Sequence, residues 1–346
     1  MALEDLTIAT YRALTELHFE GMGRACLIVG GNNSGKSSIL EAAGLALRPF
    51  DPGQWVTTAT NRDSTGHLVS NLWSIFPQSS ILRLEGEPQV SSALKLRAVI
   101  DGAPRDLSAT ASASLAWDVQ GEPEPILSIS AKVIETGAPP HEHAMTFDSR
   151  GRAASNGGVR PHRVYTVTPA THRSTRLLVA QLSLALDQGK KALALDLLKL
   201  FDPQVEDVDV SAAYGRDGIR VTHKVRGIVD LSSFGDGMRR STAIALALTN
   251  AEGGAVLIDE IEGGIHFRAI RDVTTRILSA AALARVQIIA TTHSLEAIDA
   301  VLEAVDAAGI DDMVGYHVRR DDTRHYVRRY DRKKLMALRN GGLDLR

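Results

Sequence analysis

Along the chain, apolar and polar residues follow three different rhythms. Ala25-Cys26-Leu27-Ile28-Val29, Ala255–Ile258 and Ile288–Ala290 are uninterrupted apolar runs. A run that short is the pattern of a strand buried on both faces. Between and after them, apolar residues recur at helical spacing over about 36–47, 238–250, 267–283 and 294–307. Strands alternating with helices of this length predict a parallel, doubly wound sheet. The middle of the chain has a period of two instead, in Leu82–Glu85, Leu94–Ile100 and Leu127–Val133. Gly86-Glu87-Pro88, Asp101-Gly102-Ala103-Pro104 and Gly121-Glu122-Pro123 punctuate these stretches, which predicts an antiparallel meander with one solvated face. Leu6–Tyr11 and Leu17–Phe19 read as opening strands. Residues 171–201 read as helices broken at Gln188-Gly189, and strands return near 205–210 and 218–225. Residues 51–79 and 151–161 read as irregular.

Composition narrows the class. Apolar residues are 44% and charged residues 23%, which excludes a disordered chain, a collagen and a disulfide miniprotein. No stretch approaches the ~20 apolar residues of a membrane span, so no membrane partner is expected. The start of the chain has no basic segment leading into an apolar run, so no signal peptide is expected either. Cys26 is the one cysteine; it excludes an internal disulfide, favours a cytoplasmic setting and reads as a small core residue.

The first candidate chemistry is Gly30-Gly31-Asn32-Asn33-Ser34-Gly35-Lys36-Ser37, which fits GxxxxGK[ST] between a buried strand and a helix. The glycines let backbone N–H groups wrap a phosphate, and the helix N-terminus adds partial positive charge. Lys36 would reach the β- and γ-phosphates, and Ser37 would hold Mg²⁺. This pattern points to nucleotide binding and does not by itself separate kinases, GTPases, motors and transporter-type ATPases.

Asp259 and Glu260 follow the second apolar run, at the carboxyl end of a parallel strand, where ligands of such sheets bind. Asp259 suits the Mg²⁺ shell and Glu260 a general base for water. His293 follows the third run, where it would donate to the γ-phosphate and sense its loss. Ser233-Phe234-Gly235-Asp236-Gly237 precedes a helix and is a second phosphate-type helix start. It lies 26 residues before Asp259 but 197 after Lys36. Taken alone it is an N-capped helix after a turn.

In this order the motifs resemble the ABC-type ATPase heads of the SMC, RecF and OLD group, also grouped as AAA-family ATPases. The resemblance covers about residues 3–48 and 225–320. Ile28–Ala42 is similar to that group's Walker A and following helix, Ser233–Gly237 to its signature motif, Asp259–His266 to Walker B and the D-loop, and His293 to its switch histidine. It implies an α/β P-loop NTPase: an ABC-type head with a mostly parallel core sheet, an antiparallel β flank and an inserted helical subdomain. Residues 1–50 and 225–346 would form the ATPase core, 51–168 the β-rich flank, and 169–224 a helical arm with return strands.

The resemblance also implies ATP and Mg²⁺ as cofactors, and Glu260, Lys36 and His293 as the catalytic group. Residues Gly30 to Ser37 and Ser38 would hold nucleotide. Arg12 would lie near its base and sugar, at the end of a first strand Leu6–Leu14. Ser233 and Gly235 would reach the γ-phosphate of a partner subunit in an ATP-sandwiched homodimer or higher homo-oligomer. Phe234, Gly263 and Phe267 depart from the group's usual residues at the dimer interface. Gln78 is the candidate Q-loop ligand of the metal, against a plain loop residue. The group's work implies a DNA-linked process, anti-phage defence or genome maintenance. The alternative is a nucleotide-gated scaffold with negligible turnover. A kinase leaves Ser233–Gly237 unexplained, and a transporter subunit fits this group poorly.

Three features bear on partners. The net charge is −2, which neither requires nor excludes nucleic acid. Yet Val318–Arg346 holds ten Lys/Arg against four Asp/Glu, compatible with a DNA or RNA backbone and equally with a solvated face. Only Tyr326 and Tyr330 interleave it, too few to support base stacking. The 53 residues after His293 leave no room for the nuclease domain of OLD proteins, so a separately encoded effector, a nuclease or toxin, is expected. His141 and His143 form one HxH with no further ligand spacing and read as a hairpin turn.

Overall fold

The three uninterrupted apolar runs become adjacent strands of one sheet. Its order is Val164–Val167, Ala255–Ile258, Gln287–Thr292, Ala25–Val29, Met313–Asp321 and Arg324–Asp331. All neighbours are parallel except the last pair, an antiparallel hairpin. The computed structural model describes every residue except Met1, 62–66, 78–81, Arg83, 85–87, 118–119, Gly121, 156–162, 214–215, Thr323 and Arg346. Both faces of the parallel sheet are dry. Ala25, Leu27, Val29, Val256 and Ile258 enter one apolar cluster, while Cys26, Ile28, Ala255 and Leu257 enter another. The runs are continuous because successive side chains serve different cores. Burial pushes the Cys26 thiol up to about 12, so it stays a protonated core residue. No helix among the described residues is long and apolar enough to cross a membrane.

The register sets the site. Ile258 pairs with Ala290, and Thr292 pairs with Val29. The residues that follow these strands, Asp259, His293 and Gly30, therefore emerge along one edge of the sheet.

A second, antiparallel sheet runs Leu14–Phe19, Leu3–Tyr11, Leu94–Ile100, Ala103–Trp117, Pro123–Glu135, His141–Asp148 and Ala153–Ser155, with Gln89–Val90 beside Ala103–Trp117. The meander is present, and several of its parts differ from the pattern-based expectation. Asp101-Gly102, with φ of 50° and 76°, is a two-residue hairpin turn. The strand that follows reaches Trp117. Its inward residues Ala109, Ala111 and Ala113 contrast too little with the intervening Ser and Thr to show a period. His141 and His143 lie on a strand, not in a turn, and His143 stacks on Phe50 at 4.2 Å. Among the described residues no cluster could hold a metal ion by His, Cys, Asp and Glu alone. Of Leu82–Glu85, Leu82 and Leu84 pack on the core outside any strand, and Arg83 and Glu85 lie outside the described residues.

Two stretches join an unexpected sheet. The opening strands 3–19 pair into the antiparallel sheet, and Val164–Val167 forms the edge of the parallel one. Both placements are long-range pairings that a local pattern does not encode. The segment 51–79 is also more regular than expected. It holds the helices Pro52–Thr60 and Leu68–Trp73. Asp51 caps the first by accepting from the Gly53 N–H, Pro52 opens it, and fully buried Trp55 anchors it. That burial overrides the weak helix propensity of its threonines.

The helices Thr175–Asp187 and Lys191–Phe201 pack on the helix Asp236–Asn250. A three-stranded antiparallel sheet follows them, Val205–Ala213, Arg216–His223 and Gly227–Asp230.

Candidate functional site

The strand Ala25–Val29 runs into Gly30, and the helix Lys36–Leu47 starts one loop later. Gly30, Asn33 and Gly35 have φ of 154°, 60° and 92°. A Cβ on Gly30 would lie 2.3 Å from the Val318 carbonyl oxygen, and one on Gly35 2.9 Å from Leu14 Cδ2. Glycine is therefore required at both, for space and for conformation. Lys36 Nζ donates to the Gly30 and Gly31 carbonyls at 2.8 and 2.7 Å. Burial holds its pKa below the ordinary lysine value, and Asp259, Glu262 and Glu260 oppose that shift. Ser34 Oγ is buried with no hydrogen-bond partner, and Ser38 is buried in the first helical turn. A backbone cradle with a buried cation and an unpartnered hydroxyl fits a phosphate.

Ser37 and Asp259 meet across 222 residues of chain. Ser37 Oγ donates to Asp259 Oδ1 at 3.1 Å, and Thr291 Oγ1 donates to the same oxygen at 2.6 Å. The Thr291 hydroxyl in turn accepts the Glu260 N–H at 2.9 Å. Hydroxyl and carboxylate oxygens are the donors a hard divalent cation prefers. Beside them lies a cavity of about 220 Å³, lined by Ser37, Glu41, Gln54, Thr168 and Asp259 among others.

Glu260 is half-exposed and has a left-handed φ of 49°. Non-glycine residues adopt this region at a cost and are held there by their surroundings. The restraint is Arg240, 1% exposed, on the helix after the second glycine motif. Its Nη2 donates to the Glu260 carbonyl at 2.6 Å and the Asp259 carbonyl at 3.3 Å, and its Nη1 to the Thr168 carbonyl at 3.1 Å. Burial lowers its pKa, opposed by Glu262, Glu260 and Asp259. His293 Nδ1 lies 3.4 Å from Glu262 Oε1 and 3.9 Å from Glu260 Oε1, and Glu262 also accepts the His293 N–H at 3.1 Å.

Sequence reasoning assigned no role to Arg240, Glu262 or Thr291. Glu262 carried a faint signal, as the second acid in Glu260-Ile261-Glu262; Arg240 carried none, because it acts on backbone carbonyls of distant elements.

Among the described residues no hydrogen bond or ion pair joins Ser233 or Gly235 to this assembly. Ser233 is exposed and donates to the Asp230 carbonyl at 2.6 Å. A Cβ on Gly235 or Gly237 would meet nothing within 4 Å. Phe234 is the anchor: it is buried, with the Arg226 guanidinium 4.7 Å over its ring. Arg12 is occupied elsewhere. Its Nε donates to Glu41 Oε2 at 2.9 Å and its Nη1 to the Ser74 carbonyl and hydroxyl, so none of these bonds reaches the phosphate loop. Gln78 lies outside the described residues.

The chain covers 96% of its length on 99% of an SMC head solved in complex with the C-winged helix domain of ScpA, at 13% identity and a TM-score of 0.51. SMC heads from Thermotoga maritima (14% identity, 96% and 100% of the two chains, TM-score 0.44) and Pyrococcus furiosus (12%, 98% and 98%, 0.47) are also similar. No curated protein matches. The family model described as "AAA domain, putative AbiEii toxin, Type IV TA system" matches residues 27–299. With most of its length covered by that model, the chain belongs to this AAA-domain family, and its fold is that of an SMC head.

Proposed function

We propose that the chain binds and hydrolyses ATP with Mg²⁺ as a head dimer, and that hydrolysis switches a separately encoded protein effector in a DNA-linked process in the cytoplasm. One observation carries the reading: Ser37, Asp259 and Thr291 share a bonded oxygen at the sheet edge where Glu260 and His293 also emerge. Ser37 and Asp259 would hold Mg²⁺, which neutralises charge on the β- and γ-phosphates. The loop N–H groups and Lys36 bind those phosphates. Water attacks the γ-phosphorus, its bond to the bridging oxygen breaks, and ADP leaves with that oxygen. Glu260 takes the water's proton, and His293 donates a hydrogen bond to the γ-phosphate. Ser233 and Gly235 of one head face the phosphate loop of the other; their exposure, and the lack among the described residues of a bond from either to its own loop, support this.

The protein partner in the similar SMC head complex and the toxin in the family's description favour an effector-gating role, with anti-phage defence ahead of genome maintenance. The test compares wild type with Glu260→Gln. Turnover should fall by about 10²–10⁴-fold, the range of general-base catalysis. ATP binding should persist, and the variant should run as a dimer in ATP. Normal turnover by Glu260→Gln, or a wild type that binds no ATP, overturns the reading. A wild type that binds and dimerises with negligible turnover is a nucleotide-gated scaffold instead.

A further inference from the structure

The hairpin Met313–Asp321 and Arg324–Asp331 has two faces with different duties. Residues two apart on a strand share a face. The register pairs His317 with Arg328, Arg319 with Tyr326 and Asp321 with Arg324, so these six lie on one face. The other face presses inward. The carbonyl of buried Val318 closes on Gly30, the His325 ring lies 3.5 Å from where a Cβ on Gly35 would stand, and Arg329 donates to the Glu20 carbonyl at 2.9 Å.

The first face is open. Tyr326 is 53% exposed, and Arg319, Arg324 and Arg328 are exposed around it. Among the described residues none of these three arginines forms an ion pair, whereas Arg332 and Arg339 nearby pair with Asp306 and Asp299. A groove of about 460 Å³ runs along this face, walled by Arg319, Tyr326, Arg328 and the segment Leu343–Leu345. On this face the His317 pKa is lowered first by burial and then by Arg319 and Arg328, against Asp344 in the groove wall.

We propose that this outward face binds single-stranded nucleic acid, with a base stacked on Tyr326 and backbone phosphates on Arg319 and Arg328. An aromatic ring flanked by exposed cations that form no ion pair, one of them (Arg328) lying over the Tyr330 ring at 5.4 Å, suits an unpaired base, because a base held in a duplex offers no face to stack on. Unpaired arginines on a ribbon are ready to displace the counterions of a phosphate backbone. The cross-strand register supplies the interleaving that the linear sequence lacks. The site gives a surface to the nucleic-acid link proposed above, yet its test needs neither ATP binding nor turnover.

The test is fluorescence anisotropy on the full chain without nucleotide. The probes are labelled oligothymidylate and oligouridylate of about 20 nucleotides, longer than the ~4–16 a small binding fold covers, and a duplex of the same length. Wild type should bind the single strands better than the duplex, and preference between the two sugars separates DNA from RNA as the source. Arg319→Glu with Arg328→Glu should weaken binding at least about tenfold, and the slope of log affinity against log salt should flatten by about 1.4, or ~0.7 per lost contact. Tyr326→Ala should weaken single-strand binding about tenfold, and Tyr326→Phe should restore it. Arg285→Glu, outside the hairpin, should change nothing, and unchanged melting temperatures exclude misfolding. No binding by wild type, binding indifferent to these residues, or equal duplex binding through them overturns the proposal.

Discussion

The phosphate loop and the second glycine motif are both glycine- and serine-bearing helix starts, yet their surroundings are opposite. Gly30 is walled by the Val318 carbonyl, Lys36 is buried, and Ser37 is bonded to Asp259. Neither helix start has a side-chain cap, but Gly235 and Gly237 face open space. The first motif finds its partners within its own chain. In the second, Phe234 and Arg240 are buried while Ser233, Gly235 and Gly237 are exposed. A helix start held firmly but left uncapped is complementary to an anion carried by another molecule. In the head dimer proposed above, the two motifs would be halves of one site.

The sharpest way to break this comparison is complementation. Lys36→Ala and Ser233→Arg should each lower turnover by about 10²-fold or more, as the loss of a charge-stabilising contact does. An equal mixture of the two variants should regain turnover, since one mixed interface has both halves intact. Steady-state ATPase assays of the mixture check this, and a mixture as inactive as its components would place both motifs in the same chain's site. A smaller effect is expected at the link between the motifs. Arg240→Lys keeps the charge but loses the fork that reaches three carbonyls. Its kcat should fall by about tenfold to a hundredfold, roughly 1.5–3 kcal/mol, with KM for ATP nearly unchanged. A raised KM with normal kcat would show that Arg240 does not act through Glu260.

The smallest effect is on stability against pH. His172 is buried 3.6 Å from Asp236 of the second motif; burial lowers its pKa below 6.5, Asp236 opposes this, and Arg240 adds to it. The unfolded chain therefore binds a proton that the folded chain refuses. This contribution is complete above about pH 6.5 and is lost as pH falls through that value toward the lower folded one. The melting temperature should drop between about pH 7.5 and 5.5, and His172→Gln should flatten part of that drop. His317 and His325, lowered in the same direction, add to the drop.

The phosphate loop and the pair Asp259–Glu260 were legible because each is a contiguous motif on a strand buried on both faces. There the chemistry and the hydrophobic signal sit within ten residues of each other. His293 was legible for the same reason. Arg240, Glu262 and Thr291 were not, because their roles consist of bonds to elements tens of residues away. The strand Ala103–Trp117 escaped notice since alanine and serine barely differ in hydrophobicity, and only the close packing of Ala109, Ala111 and Ala113 distinguishes its faces. Tyr326 looked isolated in a basic tail until the hairpin register set it against Arg319.

Local order thus wrote the alternation of strands and helices, the phosphate cradle and the acid pair, because these depend on neighbours along the chain. Folding alone settled which strands pair, which carbonyls Arg240 clamps, and which glycine motif lies exposed. Those outcomes depend on long-range burial and register, where a few kcal/mol of packing outweigh local preference.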